Sequence, residues 1–207
     1  GVRPLFWCRQ DGVFVFGSND YYKPSFRNPL RYLTHGASEA KGPSDPDLPW
    51  EKLRDGMARC GWVDLTHRRA TLEVNGYTLA FRGVDDAHLG RDDYSTVAGP
   101  SDPEADLNIG VTHAPYLRLL DAMTADGMDL ILAGHTHGGQ VCVPGYGALV
   151  TNCDLDAARV KGLSSHSFGG RTARLHVSAG VRTSPYAPYR FACRPEATLL
   201  TLVPVSH

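Results

Sequence analysis

The sequence predicts an α/β domain: mixed sheets packed face to face, with helices on the outside. Three observations predict it. Residues 107–112 form a short apolar run, residues 115–126 follow with helical spacing, and residues 130–133 are again apolar, which is the pattern of a β-α-β unit. Asn75-Gly76 stands between two β-rich runs, as in a two-residue hairpin. The last third of the chain breaks into short strand-like runs separated by turn residues, which suggests antiparallel pairing in a second sheet.

In chain order, residues 12–17 are a β-rich run ended by Gly17, and Ser18-Asn19-Asp20 follow at its C-terminal end. Strand ends of this kind carry ligand-contacting loops in α/β proteins. The run from Tyr21 to Leu33 mixes aromatic and basic residues around Pro24 and Pro29. It reads either as a flap that holds an anionic, partly apolar substrate or touches an anionic membrane surface, or as an irregular connection packed on the body. Residues 35–49 are rich in Gly, Pro, Ser, Asp and Lys and read as a loop. A helix is expected next, started by Ser44 or Asp47 with Pro49 in its first turn, and Gly61 as its stop. Its stripe of Trp50, Leu53, Met57 and Cys60 is expected to pack on a sheet.

The hairpin spans residues 69–74 and 77–83, since Asn-Gly supplies the two positive φ angles of a type I′ turn. Residues 84–89 contain Asp85, Asp86 and His88 at a strand end. They can contact a metal or substrate, but the residue types favour a solvated turn. After the strand at 107–112 comes His113. Pro115 then opens a helix with Tyr116, Leu119, Leu120 and Met123 on its buried face, and Gly127 closes it. The strands flanking that helix should be parallel, with His113 and His135 at the same edge. Two strands around a Gly-Tyr-Gly turn are expected in residues 141–151, a loop in 161–170, and late strands at 175–179 and 197–203.

Chemistry concentrates in Gly134-His135-Thr136-His137-Gly138-Gly139-Gln140. On a continuing strand, alternate side chains share a face, so His135 and His137 would address one centre. Neutral imidazole is the commonest protein metal ligand. The flanking glycines permit a tight turn and a close ligand approach.

This block resembles the last signature of the calcineurin-like metallophosphoesterases. Val111-Thr112-His113-Ala114-Pro115 is similar to their preceding histidine block, and Val15-Phe16-Gly17-Ser18-Asn19-Asp20 to their Gly-Asn-His-Asp block. Within the superfamily, the chain resembles the bacterial branch of UDP-diacylglucosamine pyrophosphohydrolase-like enzymes. The resemblance implies metal-dependent hydrolysis of a phosphodiester or pyrophosphate, such as a nucleotide-linked lipid precursor, by a metal-activated water. It implies metal ligation by Asn19, His113, His135 and His137, with Asn19 and Asp20 as catalytic candidates, and divalent ions from among Mn, Fe, Zn and Mg.

In ungapped register, Ser18 takes the family's ligand position and Asn19 its general-acid position. An amide oxygen can bind a hard cation but cannot donate a proton at neutral pH. Asn19 is therefore expected to be the ligand through a one-residue shift. The family's Asp-x-His and Gly-Asp blocks precede the position of Gly17, and residues 1–16 contain neither. The expectation is a single, N-terminally incomplete domain over 1–207 that lacks the first β-α units. The alternative is a non-catalytic metal-binding or interaction module.

Composition sets the outer bounds. A chain of 207 residues fits one domain. A formal net charge of −1 gives no electrostatic case for nucleic acid. No apolar run approaches the ~18 residues of a membrane span. Cys8, Cys60, Cys142, Cys153 and Cys193 are scattered and odd in number, which favours reduced thiols and a cytoplasmic setting, with membrane association only through residues 21–33.

Overall fold

The computed structural model describes residues 12–23, 45–149, 151–184 and 189–203. Its centre is a six-stranded mixed sheet in the order β3-β4-β5-β6-β10-β9. These strands are β3 (Arg68–Val74), β4 (Tyr77–Gly83), β5 (Leu107–Thr112), β6 (Leu130–Ala133), β9 (Gly162–Phe168) and β10 (Arg171–Val177). The four inner strands β4, β5, β6 and β10 run parallel, and β3 and β9 close the two edges antiparallel. Each edge strand is therefore the outer arm of a hairpin.

The hairpin at Asn75-Gly76 forms as its residue types require, with φ of 53° and 82° at the two turn positions. The second hairpin, β9-β10, turns on Gly169 and Gly170 at φ 58° and 75°. Here the sequence reading of a loop over 161–170 is wrong. β9 alternates polar exposed residues with few buried ones, so its composition is loop-like, yet a full ladder to β10 satisfies its backbone. The expectation of a separate antiparallel sheet for the late strands is corrected as well, because β10 joins the main sheet parallel to β6. Residues 197–203 form no strand. Leu199 is 91% exposed and Val203 74%, and among the described residues this run pairs with no sheet edge.

One face of the sheet is covered by α3 (Leu117–Ala125), whose Leu119, Leu120 and Met123 pack with Ile131 and Leu175. Each such fully buried side chain contributes roughly 1.5–3 kcal/mol relative to exposure. Tyr116 caps the helix, which begins two residues after Pro115. Over the other face lies a two-stranded parallel sheet of β1 (Gly12–Phe14) and β2 (Trp62–Asp64), with Val13 and Val63 against Phe81, Ile109 and Leu130. Two short strands, β7 (Cys142–Val143) and β8 (Gly147–Ala148), pair around the Gly-Tyr-Gly turn. The remaining α-helices among the described residues are a single turn, α1 (Ser18–Tyr21), and the longer α2 (Trp50–Arg59). Asp47 does not cap α2, since Pro49 stands at its N-cap, and Ser44 lies outside the described residues. The helix does pack against β2, with Trp50 edge-on to Phe16 and Tyr21. Its stripe is nonetheless not fully buried core: no residue of α2 is buried, and Leu53 is 44% exposed. No helix among the described residues is long and apolar enough to cross a membrane.

Candidate functional site

The site lies at the C-terminal ends of the parallel strands, where side chains from separate loops meet. Thr112 on β5 is in register with Ala133 on β6, and Gly134 N–H donates to His113 O at 3.0 Å, which carries the ladder one residue beyond both strands. His113 and His135 therefore emerge side by side. His113 Nε2 and His135 Nδ1 are 3.1 Å apart, and the rings meet edge to face with centroids 5.0 Å apart.

Burial pushes the pKa of His135 well below the ordinary histidine range, and the imidazoles of His113, His88 and His137 push it the same way. The ring is held neutral, which is the form that donates a lone pair to a cation. The backbone around it is unusual. His135, His137 and Gln140 have φ of 67°, 50° and 56°, in the left-handed region that costs non-glycine residues roughly 1–3 kcal/mol. Contacts from distant residues hold this loop. Asn152 Nδ2 donates to His135 O at 3.4 Å, Thr136 Oγ1 donates to Val160 O at 2.6 Å, and Arg190 Nη1 donates to His137 O at 3.1 Å. Arg190 also donates to Ala179 O and Gly180 O, so it ties the histidine loop to the turn after β10. Gly138, at φ 65°, has no room for a side chain, because a Cβ would lie 2.7 Å from Cys193 Sγ.

His137 does not continue a strand, so the expected sharing of one face with His135 does not arise. A 3₁₀ turn (His137–Gly139) follows, and His137 Nδ1 donates to Arg182 O at 3.0 Å. Burial lowers its pKa too.

Gly17 sits directly on the His113 ring: a Cβ there would meet Cε1 at 2.3 Å and Nε2 at 2.5 Å. Gly17 N–H donates to Asp20 Oδ2 at 2.9 Å, which closes the turn of α1. Asn19 is exposed on that turn. α1 is anchored from beneath, since Tyr21 Oη donates to Asp85 Oδ1 at 2.9 Å and Arg91 Nε donates to Asp85 Oδ2 at 2.8 Å. The Arg91 guanidinium also lies 4.3 Å from the centre of the Tyr21 ring. Asp85 and Asp86 are 3% and 0% exposed, so residues 84–89 are not a solvated turn. Their neighbour His88 lies 4.5 Å from His135, ring to ring. Asn152 and Arg190 carry no spacing signal that points to the site, whereas His88 is legible as a histidine at a strand end. Of the substrate or membrane flap expected at 21–33, residues 24–33 lie outside the described residues.

The pair fits a metal in part. Two imidazole nitrogens bound to one ion at ~2.0–2.1 Å in tetrahedral geometry stand ~3.3 Å apart, close to the 3.1 Å seen. The outer nitrogen of His135, Nε2, is buried without a partner among the described residues. A ligating histidine normally donates from that nitrogen to an acceptor. Among the described residues, no three His, Cys, Asp or Glu side chains are grouped to hold an ion. A third donor would come from another residue type, such as Asn19 or Ser18, or from outside the described residues.

Comparison with known proteins adds a direction. Over 190 residues, 92% of this chain and 58% of the relative, the chain is 30% identical to the uncharacterized protein YpbG of Bacillus subtilis (strain 168). It is 30% identical over 130 residues to the uncharacterized metallophosphoesterase YkuE of the same organism, covering 62% of this chain and 42% of the relative. It is 38% identical over 105 residues to phosphodiesterase YaeI of Escherichia coli (strain K12), covering 50% of this chain and 36% of the relative. The chain thus spans about half the length of the curated relatives it matches. Its relationship is metallophosphoesterase-like. No family model and no solved structure matches.

Proposed function

We propose that this chain carries part of the centre of a divalent-metal-dependent phosphoester hydrolase. The proposed substrate is a phosphodiester or pyrophosphate, such as the nucleotide-linked lipid precursors handled by the UDP-diacylglucosamine pyrophosphohydrolase-like branch. The observation that carries the reading is the 3.1 Å approach of His113 Nε2 and His135 Nδ1 at the ends of adjacent parallel strands.

His113 and His135 would hold one ion, with Asn19 offering its amide oxygen from the exposed turn of α1 and His137 serving a second ion. When bound, a divalent ion supplies neutralisation of the phosphate charge and acidifies water for attack on phosphorus. The chain's own residues prepare the place. Burial keeps His135 neutral, Gly17 bears on the His113 ring, and Asp20 closes the turn that holds Gly17 there.

Reconstitution of the full chain with Mn, Fe, Zn or Mg, followed by hydrolysis assays on bis(4-nitrophenyl) phosphate and on a nucleotide pyrophosphate, tests this reading. Metal-dependent turnover that disappears in His135→Ala is expected. Metal uptake with no turnover on either substrate would instead leave a non-catalytic metal-binding module. That second reading is favoured by the lack, among the described residues, of a third His, Cys, Asp or Glu donor at the pair.

A further inference from the structure

We propose that His88 is a positioning residue that fixes the ring plane of His135, so that the segment after β4 works as the support of the histidine pair. This rests on reading His113 and His135 as the pair that meets the ligand. His135 lies between two imidazoles, with the edge-on ring of His113 at 5.0 Å and the tilted ring of His88 closer, at 4.5 Å and 42°. The Nδ1 contact to His113 selects which edge of the His135 ring faces inward. The plane of the ring is selected by what packs on its face, and His88 packs there.

His88 is itself well held. Its backbone N–H donates to Asp86 Oδ1 at 2.8 Å, and Asp86 is fully buried. Its Nδ1 lies 3.0 Å from Tyr116 Oη, and Tyr116 is 3% exposed at the cap of α3. From Tyr116 the contacts return to His135 by a second path. Tyr116 Oη reaches Asn152 O at 3.5 Å, and Asn152 Nδ2 donates to the carbonyl of His135. Both the ring and the backbone of His135 are thus referred to one cluster. The backbone is already constrained at φ 67°, so it has little freedom to compensate for a tilted ring. Where hydrogen bonds orient a ligating imidazole, losing one typically lowers affinity about 10–100-fold, and the packed ring of His88 would orient His135 in the same way.

The test uses the full chain as wild type, His88→Ala, His88→Phe and Tyr116→Phe. Histidine-ring 1H–15N spectra of the metal-free protein, with NOEs from the His135 ring protons to the His113 ring, report the placement of His135, with His176 on β10 as internal reference. His88→Ala should shift or broaden the His135 ring signals and leave those of His176 in place. His88→Phe, which restores a ring on the same face, should return the His135 signals toward wild type. Titration with Co2+ should show about tenfold weaker binding for His88→Ala and recovery for His88→Phe. Superimposable His135 signals in folded His88→Ala, or equal shifts at His135 and His176, would overturn the proposal. Wild-type protein that takes up no Co2+ would remove the metal reading, while the metal-free spectra still decide the role of His88.

Discussion

His113 Nε2 and His135 Nδ1 face each other at 3.1 Å, although 22 residues separate them in the chain. Two lone-pair-bearing nitrogens gain nothing from this approach unless a proton or a cation lies between them. The pair is therefore the feature of the site most directly open to measurement.

His113→Ala and His135→Ala should each weaken metal binding about tenfold or more, by analogy with the loss of outer contacts to ligating histidines. His67→Ala and His176→Ala should not. His67 accepts from Asp93 N–H through Nε2 at 3.1 Å and stiffens a turn, and His176 is buried on β10. Calorimetric titration with Mn2+ or Zn2+ checks this, and equal losses in all four variants would mean that the histidines act through folding. At most one equivalent retained after desalting is expected, since His137 alone would hold a second ion only weakly, and two retained equivalents would overturn this.

Gly17→Ala isolates the steric role of the loop. Its φ of −125° and ψ of 172° suit any residue, so the backbone is not strained by the change. The added methyl would nonetheless meet the His113 ring at 2.3 Å. Metal affinity should fall several-fold while the secondary structure seen by circular dichroism is kept. Unchanged affinity would show that the turn and the ring move apart freely.

The Arg82–Asp126 pair should dominate the stability of the sheet's upper face. Arg82 is 3% exposed, and it donates to Asp126 Oδ2 at 3.0 Å, Gly99 O at 2.6 Å and Pro100 O at 2.8 Å. Arg82→Ala leaves the Gly99 and Pro100 carbonyls without this donor and removes the cation from Asp126, which keeps the neutral donors Tyr94 Oη and Gly99 N–H, at a cost of about 3–5 kcal/mol. Urea unfolding of the variant measures it. A loss under 1 kcal/mol would mean that water replaces the guanidinium.

Alkaline pH should destabilise the fold through Tyr94. Burial pushes its pKa up to about 12, and the hydrogen bond to Asp126 acts in the same direction. A hydroxyl whose folded pKa exceeds its unfolded value of about 10 keeps its full contribution below pH 10 and loses it as the pH rises toward 12. Melting temperatures recorded from pH 9 to 11 should fall more steeply for wild type than for Tyr94→Phe. Parallel curves would assign the alkaline loss to other groups.

Where structure depends on near neighbours, the sequence determined it. Asn75-Gly76 imposes its turn, the spacing of Tyr116, Leu119, Leu120 and Met123 sets the buried face of α3, and the unit around α3 makes β5 and β6 parallel. The meeting of His113 with His135 follows from that unit alone. Tertiary structure decided the rest. The ladder to β10 makes a strand of serine-rich β9, whereas apolar 197–203 pairs with no sheet edge among the described residues. The carbonyl of Arg182 turns His137 aside, Arg190 clamps its loop, and His88 reaches His135 from the far side of β5. The physical reason is the range of the interactions. Turn angles and helical stripes are set within a few residues, whereas strand pairing and loop contacts join groups whose adjacency no local spacing records.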